Sequence, residues 1–317
     1  MPNCRNLIVP LNNMDIFEHI NAPIEELSDE ITRKHNVSLF IKREDLNHPE
    51  IMGNKLRKLK YNILEAQKLK SPCILSFGGA YSNHILALSA AGRIYNIPTI
   101  GIIRGNELAS KPLNPVLTKA NENGMQLHFV TREEYKIKNS GHSIKKSHER
   151  FGDFYMLPEG GSNALAVKGS AEILDDLKNE YNVITCACGT GGTLAGIVLG
   201  AYQQHFSKTK ILGFQVLNAD DYIEKQVKSL LNNKVQNLIN WSINTDYHFD
   251  GYAKKNSTLI QFMNWFKLTH NIDLDYIYTG KMMFGLYQLI QSSYFNQGDR
   301  LLAIHTGGTQ TAKVLPQ

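Results

Sequence analysis

Cysteine is scarce in these 317 residues. Only Cys4, Cys73, Cys186 and Cys188 occur, and their spacing matches no disulfide framework. Cys186 and Cys188 fall in a β-branched run, where alternate residues share one face of a strand. No further Cys or His stands close enough to complete a metal site, so buried reduced thiols are expected and a metal is not. Apolar stretches long enough to span a bilayer are missing. The opening Met-Pro-Asn-Cys-Arg-Asn lacks the basic, apolar and small-residue order of a signal peptide. These absences point to a cytoplasmic protein. Concentrated charge is lacking too: 34 basic and 29 acidic residues give +5, scattered apart from clusters at 55–60 and 136–146. Without a basic face and interleaved aromatics, nucleic acid is not expected as a partner, nor is a membrane. Repeats, low-complexity tracts and Pro/Gly/Ser-rich linkers are absent. With 42% hydrophobic and 20% charged residues, the chain has the composition of an ordinary folded protein.

Short β-branched runs alternate with amphipathic stretches, the pattern of an α/β fold with mostly parallel sheets. Strands are predicted over 37–43, 73–77, 99–103, 126–130, 183–188, 210–216 and 301–305. A helix is predicted over 54–69, where Leu56, Leu59, Ile63 and Ala66 keep the helical period. Further helices are expected over 82–95, 169–180, 257–268 and 281–292, and one after the glycine turn at 189–192. The polar, basic segment 131–150 reads as an exposed helix or loop without a functional role.

Four segments carry chemistry. In Gly53-Asn-Lys55, following Lys42-Arg-Glu-Asp45, a lysine stands where a loop enters a helix. The positive end of the helix dipole disfavours an ammonium there, and a neutral amine attacks aldehydes. Read alone, Lys55 is more readily a surface lysine at a helix start, beside Lys58 and Lys60. In Gly78-Gly-Ala-Tyr-Ser82-Asn83-His84, a hydroxyl, an amide and free backbone N–H groups meet at a helix start. They suit a carboxylate or a ring oxygen, although Ser82 could simply cap the helix. Gly189-Thr190-Gly191-Gly192-Thr193 lies between a strand and a helix, an anion cradle for a phosphate. Leu194 occupies the third-glycine position of a dinucleotide fingerprint, and no Gly-Lys-Ser/Thr follows as in a P-loop. An unliganded glycine turn remains the alternative. Finally, Tyr278 precedes a helix, where it could act as acid or base or be a core aromatic. Thr306 ends a strand, at a ligand-binding edge or in a plain turn.

In order along the chain, Lys-Arg-Glu-Asp…Gly-Asn-Lys, Gly-Gly-x-x-Ser-Asn-His, Gly-Thr-Gly-Gly-Thr, Tyr-Thr-Gly-Lys and His-Thr-Gly-Gly resemble the D-cysteine desulfhydrase and 1-aminocyclopropane-1-carboxylate deaminase family. These are tryptophan synthase β-like, fold-type II pyridoxal-phosphate enzymes. The matches extend from Ile41 to Gly308. The resemblance implies two three-layer α/β/α domains with twisted, mostly parallel sheets. A large domain would comprise 1–55 and 166–317, and a small one 56–165, with the cofactor between them. It implies pyridoxal 5′-phosphate on Lys55 and its phosphate on Gly189, Thr190, Gly191, Gly192 and Thr193. Asn83 would meet the ring hydroxyl, and Thr306 is this chain's own candidate for the pyridine nitrogen. Ser82, Asn83, His84, Tyr252 and Tyr278 would face the substrate, with Lys55, Ser82 and Tyr278 catalytic and either Lys55 or Tyr278 taking the α-proton. Tyr252 stands in a weaker motif.

The deaminases carry Tyr-Glu where this chain has Tyr278-Thr279, and Leu where it has Thr306. Tyr81 stands where many relatives have Gln. A carboxylate keeps the pyridine nitrogen protonated and strengthens the electron sink, which opening a cyclopropane needs more than expelling a thiolate does. The expected reaction is therefore α,β-elimination from D-cysteine or a related small amino acid, giving pyruvate, ammonia and hydrogen sulfide. Deamination of aminocyclopropanecarboxylate, dehydration of a hydroxy amino acid such as D-serine, and cofactor or anion binding without catalysis are the alternatives. Lyase and hydrolase are both expected classes. Relatives of this kind imply a homodimer.

Overall fold

The computed structural model describes residues 16–17, 20, 22–231, 235, 237 and 239–309. Its strands are β1 (Ile24–Leu27), β2 (Ser38–Lys42), β3 (Ile74–Gly78), β4 (Thr99–Arg104), β5 (Gln126–Val130), β6 (Tyr155–Leu157), β7 (Val183–Cys188), β8 (Lys210–Gln215), β9 (Trp241–Asn244) and β10 (Arg300–Ile304). Eleven α-helices lie among the described residues: α1 (Glu30–Lys34), α2 (Asn54–Lys68), α3 (Asn83–Ile94), α4 (Pro115–Glu122), α5 (Arg132–Lys136), α6 (Gly141–Phe151), α7 (Ala164–Ala171), α8 (Gly192–Gln203), α9 (Tyr222–Leu230), α10 (Ser257–His270) and α11 (Thr279–Gln291).

Two sheets form. One has six strands in the order β1-β2-β10-β7-β8-β9, the other four in the order β5-β4-β3-β6. All pairings are parallel except the antiparallel β1–β2 edge. This is the α/β class that the alternating pattern predicts. The larger sheet is buried on both faces, as parallel strands require. Along β7, Val183 and Ala187 join a core with Phe266 and Met282, while Ile184, Cys186 and Cys188 join another with Leu194 and Ile197. Cys73, Cys186 and Cys188 are free and buried; Cys4 lies outside the described residues.

In each sheet the strand order reverses once, between β10 and β7 and between β3 and β6. Open parallel sheets bind ligands at the carboxyl ends of the strands flanking such reversals. Three helices hold the two reversal points together. A Cβ on Gly169 of α7 would lie 2.0 Å from the Arg57 carbonyl oxygen of α2, and one on Gly196 of α8 would lie 2.2 Å from Ser170 Cβ. Only glycine permits such close crossings.

One expectation needs correction. The helix predicted over 169–180 runs instead from Ala164 to Ala171, capped by Asn163, whose side chain accepts from the Ala166 N–H, and then tightens into a 3₁₀ turn at Glu172–Leu174. Gly169 sits mid-helix because it packs against α2. Segment 131–150 folds into two capped, largely exposed helices as expected, with Tyr135, 4% exposed, buried on the smaller sheet.

Candidate active site

A cavity of about 270 Å³ opens where both strand-order reversals face each other. The ends of β3 and β6 bring Ser82, Asn83 and Glu159 to it; the ends of β7 and β10 bring Gly189–Thr193 and Thr306. Lys55, His84, Tyr252 and Tyr278 complete the set, so every candidate catalytic, cofactor or substrate residue named from the sequence lines this one cavity. Tyr81 does not.

Lys55 lies in the first turn of α2, which begins at Gly53 with φ +70°. Glycine is required there twice over, by the left-handed backbone and because a Cβ would sit 2.0 Å from the Thr306 carbonyl oxygen. The Lys55 ammonium donates to Asn54 Oδ1 at 2.8 Å, and Asn54 Nδ2 donates to Thr193 Oγ1 at 2.7 Å. The lysine is thereby tied to the glycine turn. Burial pulls its pKa down from 10.5 to about 8, against the opposing charge of Asp275. Burial is the leading cause, where the sequence suggested the helix dipole.

Lys58, one helical turn further on, is 2% exposed. It donates to the Gly160 carbonyl and to Ser162 Oγ (2.8 Å), and among the described residues no carboxylate pairs with it. Burial and the nearby Lys55 push its pKa well down. A Cβ on Gly192 would come within 3.1 Å of Lys58 Nζ, so this lysine, which an incoming anion would charge, faces the turn that opens α8. The first amides of α8 have no intrahelical acceptor. A cation and free N–H groups converging on one point suit a phosphate. A pyridoxal phosphate therefore fits these residues: Lys58 and the 189–193 turn for its phosphate, Lys55 for its aldehyde.

Ser82 caps α3, accepting from the Ile85 N–H at 3.3 Å, and lines the cavity as well. The cap and the site are the same feature. His84 is 2% exposed. Ser76 Oγ donates to the Leu157 carbonyl and so accepts from His84 Nε2 at 2.8 Å. Burial and the two lysines keep the imidazole neutral, so Nδ1 carries a lone pair that has no partner among the described residues. His84 thus ties β3 to the end of β6 while forming part of the wall.

Tyr278 meets Tyr252 edge-on, with ring centroids 6.1 Å apart. Burial and then Tyr252 raise the Tyr278 pKa well above its ordinary value. Asp275 accepts from the N–H groups of Ile277 (2.9 Å), Tyr278 (2.7 Å) and Thr279 (3.0 Å), fixing the turn that carries Tyr278. Thr279 donates its hydroxyl to Asp275 at 2.7 Å and does not line the cavity. Lys58, Arg104, Glu159 and Asp275 were not found from the sequence. Only Lys58 had a signal, its i,i+3 spacing from Lys55 on one helix face.

Residues 17–307 match the model of the family described as pyridoxal-phosphate dependent enzyme. This chain belongs to that family. A mitochondrial bifunctional D-cysteine desulfhydrase/1-aminocyclopropane-1-carboxylate deaminase from Arabidopsis thaliana is 30% identical, over 86% of this chain and 73% of its own. A Thermotoga maritima protein provisionally named 1-aminocyclopropane-1-carboxylate deaminase is also 30% identical, over 90% and 93%. The crystal structure of an ACC deaminase homologue superposes with a TM-score of 0.76 at 24% identity, over 93% of this chain and 94% of that one. It shares the fold. The protein is accordingly a pyridoxal-phosphate enzyme of the lyase type, which removes the non-catalytic alternative. The hydrolase expectation is withdrawn, because an elimination breaks its bond without water.

Proposed function

We propose that the enzyme removes sulfide from D-cysteine or a related small amino acid, with uptake of water, to give pyruvate, ammonia and hydrogen sulfide. The observation that carries this reading is a lysine of pKa about 8 sharing a cavity with a phosphate-sized cradle. The names of the relatives support the substrate class. When bound, pyridoxal phosphate supplies the electron sink that makes α-proton removal feasible.

The chain's own groups divide the remaining work. Lys58 and the turn at 189–193 hold the phosphate, Asn83 the ring oxygen and Thr306 the pyridine nitrogen. The N-terminus of α3 with Ser82 receives the substrate carboxylate. Near neutral pH Tyr278 keeps its proton, whereas Lys55 titrates within reach, so Lys55 is the base for the α-proton and Tyr278 a donor. Tyr252 and His84 shape the substrate side. Position 279 supplies no carboxylate to the cavity, which favours desulfhydration over opening of a cyclopropane.

The assay is direct. D-cysteine should yield equimolar pyruvate and sulfide, and exclusive production of 2-oxobutanoate from aminocyclopropanecarboxylate would replace this reading with the deaminase one. Keto acid from D-serine alone would make the enzyme a dehydratase. The two sheets support a division into a large domain (1–55 with 166–317) and a small one (56–165). A cytoplasmic homodimer completes the proposal, and sedimentation velocity at the dimer mass checks the assembly. No described helix is long and apolar enough to cross a membrane.

A further inference from the structure

A second cavity, of about 230 Å³, lies on the face of the four-stranded sheet covered by α5 and α6. It shares no lining residue with the first. Its floor is apolar: Phe77, Ile102 and Val130 project from three adjacent strands, and Tyr135 and Phe151 close the sides. Its rim is cationic. Lys138, Lys146 and Arg150 stand there against a single carboxylate, Glu134. Lys146 reaches that carboxylate only at 3.4 Å, with both side chains largely exposed. Lys138 pairs at 3.0 Å with Glu159, a residue of the first cavity, and lies 4.4 Å over the Tyr135 ring. Arg150 lies over Phe151 and donates to His128 Nδ1 at 3.2 Å, with no acidic partner among the described residues. An apolar floor beneath surplus positive charge selects a molecule with an apolar body and one anionic end. The volume falls below that of drug-sized pockets, about 300 Å³ and upward, which restricts the occupant to a small molecule.

We propose that this cavity binds a small organic monoanion, an aromatic or branched aliphatic carboxylate. Its body packs on Phe77, Ile102 and Phe151, and its carboxylate meets Lys146 and Arg150. The surplus charge of segment 131–150 thereby acquires a purpose that its sequence did not suggest.

The test is isothermal titration of the holoenzyme with 3-phenylpropionate and, in parallel, with uncharged 3-phenylpropanol. Saturable binding of the acid is expected, with the alcohol weaker by roughly tenfold or more, because it lacks the charge-assisted hydrogen bonds. In the doubly substituted Lys146→Gln/Arg150→Gln protein, whose changes lie on an exposed rim, basal turnover persists and affinity for the acid drops to that for the alcohol. Equal affinity for acid and alcohol in the unaltered enzyme overturns the proposal. So does acid affinity unchanged in the double variant, which would put the acid in the first cavity, where the cofactor absorbance would report it.

Discussion

Lys55 combines two properties that a surface lysine lacks: burial that lowers its pKa, and a hydrogen bond that aims it. Its folded pKa of about 8, below the ordinary 10.5, means that the neutral amine accumulates as pH rises through 8 rather than through 10.5. Uptake of pyridoxal phosphate by the apoenzyme, followed by visible absorbance, should therefore accelerate with pH and level off above about 8.5. A rate still climbing at pH 10 would contradict the shift. Lys281 is a second buried lysine with a different task. It donates to the carbonyls of Gly251 (2.6 Å), His248 (2.8 Å) and Val216 (3.4 Å), bracing the loop that presents Tyr252. Burial brings its pKa to about 8 as well, with Asp275 and Asp250 opposing. Lys281→Met leaves those carbonyls without their cation, and catalytic efficiency on D-cysteine should fall about tenfold. Steady-state kinetics would show it, and an unchanged kcat/KM would remove Lys281 from this role.

Among the elements, α2, α7 and α8 set the spacing between Lys55 and the phosphate turn. Gly169→Ala forces a Cβ against the Arg57 carbonyl oxygen at 2.0 Å. The overpacked crossing should cost about 1–3 kcal/mol in urea unfolding and weaken cofactor retention. If neither changes, α7 has room to move and the spacing is set elsewhere. The same crossing explains why the sequence misled over 169–180: a mid-helix glycine looks like a boundary until its neighbour is known. The central strand β7 was readable to the residue, because both its faces are buried and its β-branched run ends abruptly. Strands β1, β6 and β9 were not. Each is three or four residues long and stands at a sheet edge, where the hydrophobic pattern is too short to register. At the site, contiguous motifs carried Lys55, Ser82, the glycine turn and Tyr278. Arg104, Glu159 and Asp275 join them only through the fold and left no local mark.

Across the whole molecule, the two sheets present their reversal points to one shared cavity. Acid should undo this architecture through Asp29, which links the start of α1 to α10 and α11. Although burial alone would raise its pKa, hydrogen bonds from His270, Tyr287 and the Thr32 and Ile31 amides lower it from 3.8 to about 2. A depressed carboxylate stabilises the fold above its unfolded pKa and loses that contribution as pH falls through the folded one. Unfolding should thus grow easier between about pH 4 and pH 2, and Asp29→Asn should be less stable at neutral pH while showing a shallower acid limb. Equal slopes in chemical denaturation would count against that linkage. The central claim is the identity of the lysine that carries the cofactor, and Lys58, buried one turn away, is the rival. Borohydride reduction of the holoenzyme followed by peptide mass mapping decides between them. The phosphopyridoxyl group should be found on Lys55, and its recovery on Lys58 or any other lysine would contradict the account.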